Sequence, residues 1–156
     1  MSDPPGLSVL LGFQFAKCGS WLEQRLADGL APHGLKVRHF LVLAMLGEAA
    51  TLSQQQMATY LSLDPTLMVA LIDDLERQRL VERTRDPADR RRYAIRITAK
   101  GRQSLAKART VADAVGDEVF APLDRAERRQ LADMLGRVMA AYWDGRQSGS
   151  IGTARP

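Results

Sequence analysis

The sequence predicts a mainly helical fold that carries one small antiparallel β-hairpin. Three observations lead there. Apolar residues recur at helical spacing through most of the chain, and the stretch from Tyr93 to Ile97 alternates with period two instead. Two short helical segments, residues 53–61 and 64–79, meet through the tight turn Ser62-Leu63, and a basic hairpin follows them. Two helices joined so closely, the second with its own N-cap, then a hairpin, make a winged helix-turn-helix.

The elements justify themselves in order. Residues 1–6 are expected to be a disordered lead. Residues 7–31 read as a long helix, because Leu7, Leu10, Leu11, Phe15, Cys18, Leu22, Leu26 and Leu30 form one broad apolar stripe. Pro32-His33-Gly34 stops it. Residues 35–49 make a second, more apolar helix with Phe40, Leu41, Leu43, Ala44 and Leu46, expected near the centre of the core. Thr51-Leu52 leaves room for no more than a single strand residue. Ser53-Gln-Gln-Gln56 is a capping box: the Ser hydroxyl serves the third N–H and the Gln side chain reaches back. It opens a short helix through Met57, Ala58 and Leu61.

Asp64 is the N-cap of the next helix, and Pro65 takes the first helical position, where its missing N–H costs nothing. Met68, Leu71, Ile72 and Leu75 then point inward, which turns Thr66, Val69, Ala70, Asp73 and Arg77 outward. The helix is spent by Arg79. A strand begins at Leu80-Val81 and is answered by one with Tyr93, Ile95 and Ile97 on its inner face. Thr98 caps a helix in which Leu105, Ala108, Ala112, Val115 and Val119 repeat every three to four residues, and Pro122 breaks it. Asp124-Arg-Ala-Glu127 is another capping box, opening a last helix with Leu131, Met134, Leu135, Val138 and Tyr142 inside. Residues 145–156 read as a frayed tail.

Composition narrows the function. With 46% hydrophobic residues in 156 the chain can bury a core, which argues against wholesale disorder. No run approaches the roughly 20 apolar residues that span a bilayer, and no basic segment marks a signal peptide. A single Cys excludes an intramolecular disulfide and suits the reducing cytoplasm, the expected location. The net charge of +4 is concentrated: residues 81–102 hold eight Arg or Lys against three acids. Such a hairpin is the footprint of a polyanion partner. No CxxC, HExxH, glycine-rich phosphate loop or paired-carboxylate motif occurs, so no enzyme activity, metal or cofactor is expected.

The hairpin tip carries the most specific motif. Residues 86–91 read D-P-A-D-R-R, an alternating strand follows, and then I-T-A-K-G; L-E-x-x-x-L-V-E-R stands just before. On these residues the chain resembles the MarR family of winged helix-turn-helix transcription regulators, and more weakly so over residues 7–142. The resemblance implies a single domain over residues 1–156, with residues 35–97 as the DNA-binding lobe. It also implies that the helices in 7–31 and 98–144 form a homodimer. That agrees with the sequence, since one small lobe cannot bury three long apolar faces alone.

The partner is then double-stranded DNA. The expected contacts are Ser53, Gln54, Gln55, Thr66, Val69, Ala70, Arg77, Arg85, Arg90, Arg91 and Arg92, with Asp64, Asp86 and Asp89 supporting the wing. The resemblance gives Arg90 the role of wing-tip cation and pairs Arg91 with Asp64. Where the family often carries a Thr-Arg pair, this chain has Val69 and Ala70, which can touch thymine methyls but cannot bond guanine bidentately. Asp73 on the same face would repel phosphate. The arginines must therefore supply most of the affinity.

Regulation is expected through a small aromatic or anionic effector. Phe13, Lys17 and Trp21 step by four along the first helix and could hold an aromatic acid, with His39 on the second helix as another wall. The alternative is that Phe13 and Trp21 pack a dimer seam, Lys17 is solvated and His39 is a hydrogen-bonded core residue. Cys18, on the apolar stripe, reads as structural; a branch of the family senses peroxide with a first-helix cysteine, but at an earlier position. The reading is a homodimeric repressor of a pseudo-palindromic operator. Its rival is a winged-helix dimer that binds other proteins without reading an operator.

Overall fold

A computed structural model describes residues 10–49, 52–85 and 93–147. Among them the order is α1 (Leu11–Leu30), one turn of 3-10 helix (Ala31–His33), α2 (Val37–Glu48), β1 (Leu52–Ser53), α3 (Gln54–Tyr60) and α4 (Pro65–Arg77). Strands β2 (Val81–Arg85) and β3 (Tyr93–Ile97) follow, then α5 (Ala99–Val119) and α6 (Arg125–Gln147). The fold is mainly helical with a small antiparallel sheet, as the periodicities predict. The chain divides into two compact units, Met1–Gly116 and Asp117–Pro156.

In the first unit the core gathers Leu30, Leu35, Val42, Leu43, Leu46, Met57, Met68, Ile72, Leu75, Ile95 and Ala108, drawn from five helices and the sheet. Every inward residue expected of α4 is there: Met68, Leu71, Ile72 and Leu75 are all buried. The sheet has the order β1-β3-β2, with Leu52 paired to Ile95 and Val81 to Ile97. The hairpin therefore has a third strand, longer than the single residue expected, because β3 offers its free edge to Leu52 and Ser53. Tyr93 departs from its expected inward face. It is half exposed, its ring under the Arg85 guanidinium at 5.7 Å, while Ala94 is buried.

The apolar stripe of α1 is covered only at its end. Leu30 is buried and Leu22 and Leu26 are half-buried, whereas Leu11, Phe15 and Cys18 are exposed. Cys18, expected on the buried stripe, is thus exposed among the described residues.

In the second unit the Asp124 box forms as expected: Asp124 Oδ1 accepts from the N–H groups of Ala126 and Glu127, and Glu127 Oε2 accepts from Asp124 N at 2.8 Å. Arg128 closes the preceding turn, donating to Asp117 Oδ1 at 2.7 Å and to the Phe120 and Leu123 carbonyls. Leu131 and Leu135 are half-buried, but Met134, Val138 and Tyr142, expected inside, are exposed. Periodicity groups residues on one face; it does not supply a partner for that face. No helix among the described residues is long and apolar enough to cross a membrane.

Candidate nucleic-acid interface

The helix-turn-helix is built from local hydrogen bonds that the sequence encodes. Ser53 Oγ accepts from Gln56 N and Gln56 Oε1 accepts from Ser53 N, so α3 starts at the expected box. At the other end of α3, Ser62 adopts φ 51°. That left-handed residue lets Ser62 N and Leu63 N return to the carbonyls of Thr59 and Ala58, ending the helix and turning the chain. Asp64 Oδ1 then accepts from Thr66 N at 2.7 Å and opens α4.

The buried stripe of α4 fixes its rotation. Thr66, Val69, Ala70, Asp73 and Arg77 all face solvent, as the spacing predicts, together with Leu67. In a helix-turn-helix the N-terminal residues of this second helix meet base edges in the major groove. The surface presented there is thus largely apolar.

The far end of α4 is held by residues outside it. Arg79 takes φ 59°, and Leu80 N returns to Leu75 O at 2.9 Å. Thr98 Oγ1 donates to the Arg79 carbonyl at 2.8 Å and accepts from Gly101 N, while Lys100 Nζ donates to Gln78 O at 2.8 Å. Gly101 is buried against this turn; a Cβ there would lie 2.0 Å from Leu80 O. The T-A-K-G motif is therefore a clamp on the end of α4.

Three acids of α4 are spoken for. The Arg83 guanidinium from β2 bridges Asp73 (Nη2 to Oδ1, 2.5 Å) and Glu76. Burial opposes its charge, yet the bonds to Asp73 and Glu76 outweigh that and raise its pKa above the ordinary arginine value. Asp74 faces Arg77 Nη2 at 3.2 Å, Lys36 Nζ at 3.9 Å and His39 Nε2 at 3.1 Å. The expected repulsion between Asp73 and phosphate is thus reduced by Arg83, which Asp73 shares with Glu76. Sequence reasoning passed over Arg83, although Asp73 and Glu76, three apart on one face, are a signal for such a cation.

His39 is buried, as the core alternative expects. Its Nδ1 accepts from Lys36 N at 3.2 Å, which places the proton on Nε2, toward Asp74. Burial lowers the His39 pKa below its ordinary value, against the opposing pull of Asp74. The contact joins α2 to α4. Phe13 is half-buried and Lys17 and Trp21 are exposed on α1, while the His39 ring is buried beside Asp74.

Of the other expected residues, Gln54 is half-buried and Gln55 exposed at the start of α3. Arg85 is exposed at the end of β2. Asp86, Asp89, Arg90, Arg91 and Arg92 lie outside the described residues, and with them the proposed Asp64–Arg91 pair.

Comparison with known proteins shows which family carries this fold. A model of the MarR family matches residues 33–92. The HTH-type transcriptional regulator TtmR of Methylorubrum extorquens is 33% identical over 136 residues, spanning 87% of this chain and 69% of TtmR. The HTH-type transcriptional repressor Rv2887 of Mycobacterium tuberculosis is 28% identical over 128 residues, 82% of this chain and 92% of its own. The crystal structure of Rv2887 with p-aminosalicylic acid superposes with a TM-score of 0.70 at 27% identity, covering 83% of this chain and 98% of that one.

The transcriptional repressor CouR, bound to a 23-mer DNA duplex, superposes with a TM-score of 0.81 at 31% identity over 89% of this chain and 99% of CouR. CouR from Rhodococcus jostii bound to p-coumaroyl-CoA gives 0.78 at 33% identity, over 86% and 95%. Fold and site together define a winged-helix transcriptional regulator. The chain belongs to the MarR family.

Proposed function

We propose that the chain is a homodimeric repressor that binds a pseudo-palindromic operator and releases it when a small aromatic acid binds. One observation carries the DNA reading. Helix α4 spends Met68, Leu71, Ile72 and Leu75 on the core and offers Thr66, Val69 and Ala70, at its N-terminal end, to solvent. CouR, bound to DNA, supports it. In this reading residues 35–97 bind DNA, with Ser53, Gln54, Gln55 and Arg77 flanking the helix face. The wing adds Arg85, Arg90, Arg91 and Arg92 to phosphates and the minor groove. Asp64 anchors Arg91, and Asp86 and Asp89 orient the tip.

The dimer rests on exposed apolar side chains. Leu10, Leu11 and Phe15 in and before α1, and Met134, Val138 and Met139 on α6, are exposed among the described residues. Large apolar surfaces of this kind mark interaction sites, and a second copy related by a two-fold axis closes them. The helices of 7–31 and 98–144 are then the dimerisation segments. For the effector, CouR and Rv2887 are bound to p-coumaroyl-CoA and p-aminosalicylic acid, both of which carry an aromatic ring and an anionic group. Phe13, Lys17 and Trp21 offer a matching face on α1.

The test is a gel shift with DNA from upstream of the chain's own gene, with and without salicylate. Saturable, competitor-resistant binding that salicylate weakens is expected. Binding no stronger than to random DNA contradicts the operator reading and favours an interaction module, for which the apolar Val69 and Ala70 are the observation.

A further inference from the structure

We infer that the operator half-site presents thymine 5-methyl groups to Val69 and Ala70, so that this helix reads its site by apolar contact rather than by arginine on guanine. The inference rests on the operator reading above and names the base chemistry it requires. Val69 is 44% exposed and Leu67 40%, and Ala70 is exposed beside them. Bidentate reading of guanine needs an Arg or Lys on this face. Within α4 the one such residue is Arg77, in the last turn. Its guanidinium turns back onto its own helix, with Nη2 on Asp74 Oδ1 at 3.2 Å and Nε on Asp73 O at 3.4 Å.

The acids of the same helix could have taken cytosine N4, the other polar reading. They are engaged elsewhere: Asp73 and Glu76 with Arg83, and Asp74 with His39, Lys36 and Arg77. What remains for the groove is the Thr66 hydroxyl, which any base can satisfy, and aliphatic surface. Thymine is the base that displays an apolar group in the major groove, its C5 methyl. Burying that methyl against Val69 or Ala70 removes apolar area from water on both sides. The ion pairs matter as much as the apolar residues, since they cancel charges that would otherwise set a polar specificity.

The experiment selects binding sites for the full chain from a pool of random duplexes at about physiological salt. The enriched half-site is then rebuilt with deoxyuridine in place of each thymine in turn, which removes the methyl and keeps every hydrogen-bonding group. One or two positions per half-site are expected to lose about four-fold in affinity on this change, the equivalent of roughly 0.8 kcal/mol for one buried methyl-sized group. Val69→Ala, an exposed helix position, should reduce the penalty at one of those positions and leave the other thymines unaffected. A flat deoxyuridine series over an enriched site, or penalties that Val69→Ala leaves in place, would overturn the inference while sparing the operator reading. A pool without any enriched sequence would overturn the operator reading itself, and this inference with it.

Discussion

The C-terminal half of α4 is tied down from several directions, whereas among the described residues its N-terminal half is held by the Asp64 cap and its buried stripe. At the C-terminal end, Arg83 crosses from β2, His39 of α2 and Lys36 just before it reach across, and Thr98, Lys100 and Gly101 at the start of α5 close the last turn. At the N-terminal end Thr66, Leu67, Val69 and Ala70 stand in solvent. One half fixes the helix on its lobe, and the other is left for a partner. The charged groups of α4 serve positioning, so in the proposed function recognition falls to the apolar residues and to the arginines of the wing.

The comparison can be broken first at the clamp. Gly101→Ala replaces a glycine in a helix, where propensity alone favours alanine by about 1 kcal/mol. The Cβ would meet Leu80 O at 2.0 Å, so the expected outcome is the opposite, a loss of about 1–3 kcal/mol in urea unfolding. A stabilised variant would show that α5 does not press on the end of α4.

Arg83→Ala removes the bridge and leaves the carboxylates of Asp73 and Glu76 uncompensated near DNA. Operator affinity should fall about ten-fold, the equivalent of roughly 1.4 kcal/mol, and much of it should return in the Asp73→Ala double variant. Strict additivity in a binding titration would remove Arg83 from the interface.

Arg79→Gly should sharpen the picture in the other direction. A non-glycine residue at φ 59° costs about 1 kcal/mol, so glycine should raise stability by about that amount without changing DNA affinity. Thermal melts and titrations on the same sample check both halves of that statement.

The smallest effect is a pH dependence from His39. Its folded pKa lies below the unfolded value because burial disfavours the charged ring. The unfolded chain therefore binds the proton more readily. The contribution is complete above the unfolded value of about 6.5 and is lost as pH falls below it. Asp74 opposes the shift, while Lys36, which also faces the ring's partner, reinforces it. Urea midpoints measured from pH 7.5 down to 5.5 should fall, and less so in His39→Gln; identical profiles would exclude His39 as the titrating group.

Most of the helix-turn-helix was legible because its signals are local. The Ser53, Asp64 and Asp124 caps each lie within a few residues of the N–H groups they serve, and the inward stripe of α4 follows from spacing alone. What sequence reading missed depends on distant partners. Ser53 joins Leu52 in a strand only because β3 comes beside them, and Asp73 gains a cation only because β2 returns Arg83. Cys18, Met134 and Val138 were expected inside because they share a face with buried neighbours. They are exposed instead, because spacing groups residues on one face without supplying what covers it. Arg90, Arg91 and Arg92 at the wing tip, the most legible motif of all, lie outside the described residues, and their roles are proposed from charge and the family pattern.

The central claim is that the exposed N-terminal face of α4 meets DNA. Val69→Glu tests it most directly, because the position is exposed and a carboxylate there would stand against base edges and phosphates. Operator affinity measured by fluorescence anisotropy at about physiological salt should fall by about 100-fold. The melting temperature should stay within about 2 °C of the parent, as expected for a surface substitution. Unchanged affinity at unchanged stability would contradict the account, since it would mean that this face of α4 does not touch DNA.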